Sequence, residues 1–355
     1  MTVRPLTEET FNDAKSVVLA RFSDSALGVL AKTMKNPLRR DCPEIGEIVY
    51  EESGRAVGFR AANRRRMHFC QELLLGRVRG LTCRLKDSSK EVMSALCEAQ
   101  LLNPRGCKIA FSNTQSVPTE QRAIQMGATL GPKSCTRFLC CIIRPLRFFI
   151  YFMAKILLKK DAFKGQKGSL SNRSEFKYSV GNVIVERAHH IDKKFFDSLN
   201  EDYMKANEGI ASDRDGESLS WLFENEVEHG QVVFLCARQN DAGVGYIALK
   251  ADSNASHWLV VDWFALKNDS GVLSVLLRSA KRFLKQCTPA LVCKVIGFPE
   301  YVQPLLKKHF PFERKTNVNW FSYNFLDTAL ADKCSSAVIA ERSWFFGPLD
   351  GDFCM

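Results

Sequence analysis

The sequence predicts an α/β protein in which two mixed-sheet domains follow one another along the chain. Its 355 residues are enough for two domains of ordinary size, and its hydrophobic content of 46% is enough for two cores. The content of charged residues, 25%, is typical of a globular protein. One order of predicted elements, β-α-α-β-β-β-α-β-α-β, also occurs twice without visible sequence identity between the two halves. Strands that alternate with helices in this way indicate sheets covered by helices.

Residues 1–144 form the predicted first domain. Ser88 and Glu91 form a capping box, which predicts that the third helix starts there. Gly127 ends the fourth helix, since glycine readily adopts the conformation that follows a helix. The predicted elements are, in order, TVRPL, Thr10 to Arg21, Ser25 to Lys35, EIVYEES, RAVGFRAA, CQELLLGRVRGLTCRL, SSKEVMSALCEAQ, CKIAF, TEQRAIQMG and TRFLCCII.

Residues 176–326 repeat this order and form the predicted second domain. The segment NDAG separates two alternating runs, which predicts a hairpin. Residues 327–355 follow as a C-terminal tail. The predicted elements are, in order, KYSVGNVIVERA, Ile191 to Ala206, Leu219 to Val227, QVVFLCARQ, VGYIALKA, HWLVVDWFAL, GVLSVLLRSAKRFLKQ, ALVCKVIG, EYVQPLLKKHF and NVNWFSYNF.

Residues 145–175 connect the two predicted domains and begin with a very apolar stretch, PLRFFIYFMAKILLKK. Proline fits the first position of a helix, so Pro145 predicts a helix that runs to Lys160. Basic residues interrupt the apolar run, whereas a membrane span needs about 20 consecutive apolar residues. The sequence therefore predicts an amphipathic helix that does not span a membrane, followed by a linker rich in Gly, Ser and Lys.

Positive charge is concentrated around this helix. The chain has a net charge of +11, and the twelve basic and three acidic residues between positions 133 and 187 account for +9 of it. One face of the helix, with Phe149, Met153 and Ile156, is expected to pack on protein. The opposite face is expected to meet an anionic membrane surface, or else to be an ordinary solvated face. Its basic residues are Arg147, Lys155 and Lys159.

Two segments resemble motifs of the GNAT acyltransferase superfamily, and the repeated element order resembles its tandem form. In that family an asparagine follows the fifth strand and a glycine closes the next helix. Asn113 and Gly127 in FSNTQSVPTEQRAIQMGA match these two positions. The segment VVDWFAL resembles the central strand, whose splayed backbone pairs with the pantetheine arm of acyl-CoA. The resemblance covers residues 1 to 325.

The resemblance implies acetyl-CoA or another acyl-CoA as co-substrate. Glycines in the family's phosphate-binding loop let backbone N–H groups approach the pyrophosphate at a helix N-terminus. The matching loop of the first half, KDSSKEV, has no glycine, and that of the second half, KNDSGVL, has one. We therefore predict that acyl-CoA binds mainly to the second half. The predicted cofactor-binding residues are Val261, Phe264, Leu266, Ser270, Gly271 and, in the first half, Asn113.

Asp262 is the predicted catalytic residue, because it places a carboxylate in the middle of an apolar strand. A carboxylate that faces a cleft, with its pKa raised by burial, can take a proton from an attacking amine. The other interpretation is a carboxylate bonded to a neighbouring strand or loop, because a buried charge needs a partner.

The expected function is transfer of an acyl group, acetyl in the first instance, from acyl-CoA to a primary amine. An amino sugar is one candidate acceptor. Two alternatives stay open: a tandem fold that has lost catalysis and binds a partner, and a transferase that uses aminoacyl-tRNA. Few aromatic residues accompany the basic ones, so we expect no nucleic-acid partner.

The remaining sequence features argue against metal binding and secretion. The 13 cysteines include no CxxC pair, and His189 and His190 have no further ligand at a useful spacing, so we expect no metal. The N-terminus has no apolar region of the kind found in secretory signals. We therefore expect a cytoplasmic location, with peripheral contact to a membrane.

Overall fold

The structure is a computed structural model that describes most of the chain. The described residues are 1–22, 25–40, 42–69, 72–112, 117–158, 175–206, 209–252, 255–297, 300–336 and 344–345.

Ten helices and 17 strands are present among these residues. The helices are α1 (Phe11–Leu19), α2 (Ser25–Met34), α3 (Glu91–Leu102), α4 (Val117–Gln125), α5 (Pro145–Leu158), α6 (Lys193–Ala206), α7 (Gly216–Glu228), α8 (Ser270–Cys287), α9 (Gln303–His309) and α10 (Thr328–Ser336). The strands are β1 (Thr2–Pro5), β2 (Gly46–Tyr50), β3 (Ala56–Phe69), β4 (Glu72–Arg84), β5 (Ile109–Ser112), β6 (Thr129–Leu130), β7 (Arg137–Ile142), β8 (Lys177–Val180), β9 (Val183–Ala188), β10 (Ile210–Ser212), β11 (Val232–Gln239), β12 (Ala242–Ala251), β13 (His257–Ala265), β14 (Val292–Ile296), β15 (Phe312–Lys315), β16 (Ser322–Phe325) and β17 (Trp344–Phe345).

The first sheet has the strand order β1-β2-β3-β4-β5-β16-β6. Strands β3 and β4 form a long antiparallel hairpin, and β4 pairs in parallel with β5. Ile48 of β2 lies in one buried cluster with residues of α1 and α2. The next residue, Val49, points to the opposite face and lies in a cluster with Val92 and Leu96 of α3. The sheet is therefore covered by α1 and α2 on one face and by α3 on the other.

The second sheet has the strand order β15-β7-β14-β13-β12-β11-β9-β8. Asn240 and Asp241, in the predicted NDAG turn, both have positive φ, as a tight hairpin turn requires. The largest buried cluster of the protein joins this sheet to α6, α7 and α8. Trp258 and Val260 of β13 point into that cluster, whereas His257 points to the opposite face.

The closing strand of each half is exchanged between the two sheets. Strand β7, from the first half, lies between β14 and β15 of the second sheet. Strand β16, from the second half, lies between β5 and β6 of the first sheet. The predicted division into residues 1–144 and 176–326 kept each closing strand in its own domain. In the structure, each sheet is completed by a strand from the other half of the chain.

A charged cluster at the far end of β3 also joins the two halves. Strand β10 pairs with β3, and Arg66 on β3 lies 3.2 Å from Asp213, 2.6 Å from Asp215 and 3.3 Å from Glu217. His68 lies 2.6 Å from Asp213. Burial acts to raise the pKa of Asp213, but its interactions with His68, Asn200 and Arg66 together outweigh burial and hold that pKa below its usual value. The carboxylate of Asp213 is therefore stabilised in its charged form.

Helix α5 begins at Pro145, as predicted, but its orientation is the reverse of the predicted one. Phe149 and Ile156 were expected to pack on protein, yet they are 59% and 55% exposed, whereas Met153 of the same predicted face is partly buried. On the opposite side, Tyr151 packs edge-on against His257, with 6.3 Å between the ring centroids. The exposed apolar residues of α5 are Leu146, Phe149, Ile150, Phe152, Ile156 and Leu157.

The predicted basic stripe of α5 is only partly described. Arg147 is exposed, while Lys159 lies outside the described residues and the side chain of Lys155 is not described. Within the described part of the chain, no helix combines the length and the apolar character needed to cross a membrane.

Candidate active site

The first sheet opens between β4 and β5. The two strands pair from Gly76 with Ile109 to Val78 with Phe111, and no further pair follows. On its other side, β4 has a bulge, because two residues, Gly80 and Leu81, lie opposite Ala61 alone. The bulge bends β4 away from β5, so the edge of β4 beyond Val78 has no strand partner among the described residues.

A cavity of about 530 Å³ fills the opening between these strands. The second part of β4, the helices α3 and α4, Ser112 at the end of β5 and Asn324 of β16 line it. The exchanged strand β16 therefore contributes to a site that otherwise belongs to the first half. The basic residues that line the cavity are Arg21, Arg60, Arg79, Arg84, Lys90 and Arg122.

Arg60 and Arg79 are buried in the wall of this cavity. The Arg60 guanidinium donates to the Cys97 sulfur at 3.1 Å, and Arg79 donates to Asn324. Neither has an acidic partner in the part of the chain that the structure describes. Burial lowers the pKa of Arg79 to about 9, and the nearby Arg60 adds to this effect. Two poorly solvated positive charges would be stabilised by an anion in the cavity.

The corresponding part of the second half is filled by its own side chains. Strands β13 and β14 pair from His257 to Leu259, and beyond Leu259 the two strands separate. Strand β13 also has a bulge at Val261. Val261 and Phe264, both predicted to bind the cofactor, are 0% and 2% exposed within the core. Leu266 packs against the same core. These three residues hold the second sheet to its helices.

The start of α8, predicted to bind a phosphate through Ser270 and Gly271, already has a negatively charged cap. The carboxylate of Asp269 accepts hydrogen bonds from the N–H groups of Gly271 at 2.7 Å and Val272 at 3.1 Å. Ser270 is the first residue of the helix, not its cap. Because a carboxylate occupies the N–H groups that a phosphate would use, this helix end repels an anion.

Asp262, the predicted general base, is buried in an ion pair. Its two carboxylate oxygens accept from Arg214 at 3.0 Å and 3.1 Å, and one also accepts from the Tyr246 hydroxyl. Asp262 is 1% exposed. A paired carboxylate is a poor proton acceptor, because the arginine stabilises its charged form. This geometry favours the structural interpretation of Asp262, and its catalytic role stays a prediction.

Asp262→Asn is expected to destabilise the fold by about 3–5 kcal/mol, because the buried charge of Arg214 would lose the carboxylate that neutralises it. Urea unfolding measures this change. Asp87→Asn, which breaks an exposed contact to Arg55, is the matched control and should change stability little. Unchanged stability of Asp262→Asn together with lost turnover would instead support the catalytic role.

The remaining predictions concern the first half of the chain. Asn113 is outside the described residues, directly after Ser112, which lines the cavity. The predicted capping box at α3 is not formed, because the Ser88 hydroxyl donates to the Leu85 carbonyl. Ser89 instead accepts from the N–H of Glu91 at 3.2 Å. The N-cap residue of α3 is Lys90, which makes no side-chain cap hydrogen bond, whereas the cap of α8 is the carboxylate of Asp269.

Solved structures match this chain, whereas no model of a known protein family and no curated protein does. A GCN5-related N-acetyltransferase from Kribbella flavida matches with a TM-score of 0.58 and 12% identity, over 92% of this chain and 71% of that one. A probable N-acyltransferase from Enterococcus faecalis matches with a TM-score of 0.56 and 9% identity, over 92% and 72%. Saccharomyces cerevisiae N-myristoyltransferase with bound myristoyl-CoA matches with a TM-score of 0.51 and 10% identity, over 92% and 82%.

The chain therefore has the fold of the GNAT acyltransferase superfamily in its tandem form. Each match covers more than nine-tenths of this chain, so the likeness includes both halves. The predicted fold class, two mixed-sheet domains in tandem, is confirmed.

Proposed function

We propose that this protein is an acyl-CoA-dependent N-acyltransferase whose acyl-CoA site lies in the first half. The observation that carries the proposal is the opening between β4 and β5, which leads into a cavity with six basic and no acidic residues in its described lining. This assignment replaces the site predicted in the second half, where Asp269 caps the matching helix.

The parts of acyl-CoA match the parts of the cavity. The unpaired edge of β4 offers backbone groups to the two amides of the pantetheine arm. Lys90 at the start of α3 and Arg122 on α4 offer positive charge to the phosphates, and neither has an acidic partner among the described residues. The thioester would then lie near the bulge at Gly80, where backbone N–H groups can stabilise the oxyanion.

We propose acetyl as the transferred group. The place where β4 and β5 part is polar, since Arg79, Ser112 and Asn324 line it. A long hydrocarbon chain there would remove water from these groups without replacing its hydrogen bonds, which is costly. The proposed acceptor is a primary amine, with amino sugars as the first class to test.

We expect the rate to depend on the ionisation of the amine itself. The described lining holds no carboxylate and no imidazole, and residues 113–116, NTQS, would add none. Only the neutral amine can attack the thioester, so kcat/KM for the amine should rise tenfold per pH unit below the pKa of the amine, which is about 10 for a lysine-like group. A plateau reached well below the pKa of the amine used would contradict this expectation and indicate a base on the enzyme.

Two measurements on the wild-type protein test the proposal. Acetyl-CoA at 100 times its Kd should stabilise the fold by about 2.7 kcal/mol in thermal unfolding. Release of the free CoA thiol should depend on an added amine and be faster from acetyl-CoA than from myristoyl-CoA. Binding without release for any amine would support the alternative of a fold that has lost catalysis. Failure to bind CoA would contradict the proposal.

A further inference from the structure

A second cavity opens on the face of the second sheet that points away from its core. Its volume is about 570 Å³. The single acidic residue in its described lining, Asp252, lies 3.1 Å from His257 and pairs with it. None of the basic lining residues has an acidic partner among the residues that the structure describes. These basic residues are Lys250, Lys294, Arg314 and Lys315.

The strand register arranges these charges around an apolar floor. Leu259 pairs with Lys250 on one side and with Lys294 on the other, so the two lysines point to the same face, about 10 Å apart. Arg314 pairs with Phe138 on the exchanged strand β7. Leu259 and Phe138 both line the cavity. Unpaired cations around an apolar floor suit a ligand that carries a negative charge next to hydrocarbon.

The exposed apolar face of α5 adjoins this cavity. His257 lines the cavity and contacts Tyr151 of α5. The start of α5 is held to the second domain by Arg144, which donates to the carbonyls of Leu284, Lys285 and Ala290 at 2.6 to 3.3 Å. The helix therefore presents the six exposed apolar side chains of its described part from a fixed position beside the cations.

We propose that α5 and this cavity form one docking surface for a membrane that contains anionic phospholipid. The apolar face of α5 would enter the interfacial layer, as amphipathic helices do. The phosphate of a lipid headgroup would bind in the basic cavity, with acyl-chain carbons on its apolar floor. The positive charge beside α5 favours an anionic membrane over a basic or neutral occupant, because residues 159–174, directly after α5, carry five basic residues and one acidic residue.

Sedimentation of the full-length protein with vesicles tests the proposal. We expect binding to phosphatidylcholine vesicles that contain one-quarter phosphatidylglycerol. Binding should be much weaker to pure phosphatidylcholine. It should also fall when salt is raised from 0.1 M to 1 M, which shortens the screening length from about 10 Å to about 3 Å.

Two double variants separate the parts of the surface. Phe149→Ser/Ile156→Ser and Lys294→Glu/Arg314→Glu should each reduce vesicle binding at least tenfold. Leu102→Ser removes an apolar side chain that is 78% exposed on α3, and Lys15→Glu/Lys86→Glu reverses two exposed charges elsewhere. These controls should bind as the wild type does. Melting curves check that every variant is folded.

Several outcomes would overturn the proposal. The proposal would be wrong if the wild-type protein did not bind anionic vesicles at low salt. It would also be wrong if the protein bound neutral vesicles equally well. A dimer that Phe149→Ser/Ile156→Ser dissociates would assign the apolar face to a second copy of the chain. Vesicle binding that is gained only after deletion of residues 346–355 would assign the face to the C-terminal tail.

Discussion

The double variant Lys90→Glu/Arg122→Glu is expected to bind acetyl-CoA at least about 100-fold more weakly than the wild-type protein. Each hydrogen bond to a charged group contributes about 1.5–3 kcal/mol, and each 1.4 kcal/mol changes the affinity tenfold. Losing one such bond at each position accounts for the loss, and repulsion of the phosphates by the new carboxylates adds to it. Isothermal titration calorimetry at low salt measures the affinity.

Gly271→Glu is the matched control for this variant. It adds a negative charge at the start of α8, where the carboxylate of Asp269 already accepts from two backbone N–H groups. We therefore expect unchanged affinity for acetyl-CoA in Gly271→Glu. The opposite result, with Gly271→Glu unable to bind and Lys90→Glu/Arg122→Glu unaffected, would assign acyl-CoA to the second half.

Neither half of the chain is expected to fold when it is expressed alone. A fragment of residues 1–174 lacks β16 and also lacks Trp320 and Phe321, which lie in one buried cluster with Phe111 of the first sheet. A fragment of residues 175–355 lacks β7, whose Leu139 belongs to the core of the second sheet. Removing a central strand exposes backbone groups and apolar side chains together. Each fragment should therefore give no cooperative thermal transition.

The two fragments produced in the same cell should form a stable complex, because the exchanged strands then find their sheets. A full-length chain with a protease site inserted between residues 164 and 167 is the control. After cleavage it should elute as one particle with an unchanged melting temperature. A fragment of residues 1–174 that unfolds cooperatively by itself would contradict the importance of the exchange.

Local features of the fold could be predicted because they depend on residues that are neighbours in sequence. Pro145 starts a helix, and Gly127 ends one with a φ of +74°. The exchange of β7 and β16 could not be predicted. Alternation of apolar residues tells which face of a strand is buried, but it does not tell which strand lies beside it.

The predicted orientation of α5 was wrong for a similar reason. A helical wheel separates two faces, and the more apolar face was assigned to the protein interior. Apolar residues cover most of this helix, so its contacts decide which face is buried. Tyr151 and Phe148, on the side predicted to face outward, are partly buried, and so are Met153 and Ala154.

The prediction of an acyl-CoA site in the second half rested on the glycine in its phosphate-binding loop. Asp269, one residue before Ser270, caps the helix with a carboxylate, which disfavours a phosphate there, and the motif does not contain this geometry. The second-half site stays a prediction. A signal for the first half was present in the sequence. Gly80 interrupts a long strand pattern, which is typical of a bulge, and the basic residues Arg79 and Arg84 lie on either side of it.

Hydrogen exchange measured with and without acetyl-CoA tests the location of the acyl-CoA site most directly. We predict that saturating acetyl-CoA slows exchange in peptides that cover residues 80–93 and 117–126, which line the cavity of the first half. Peptides that cover residues 261–275, at the matching place in the second half, should exchange at the same rate in both samples. Protection confined to residues 261–275, with none at 80–93, would instead place the acyl-CoA site in the second half.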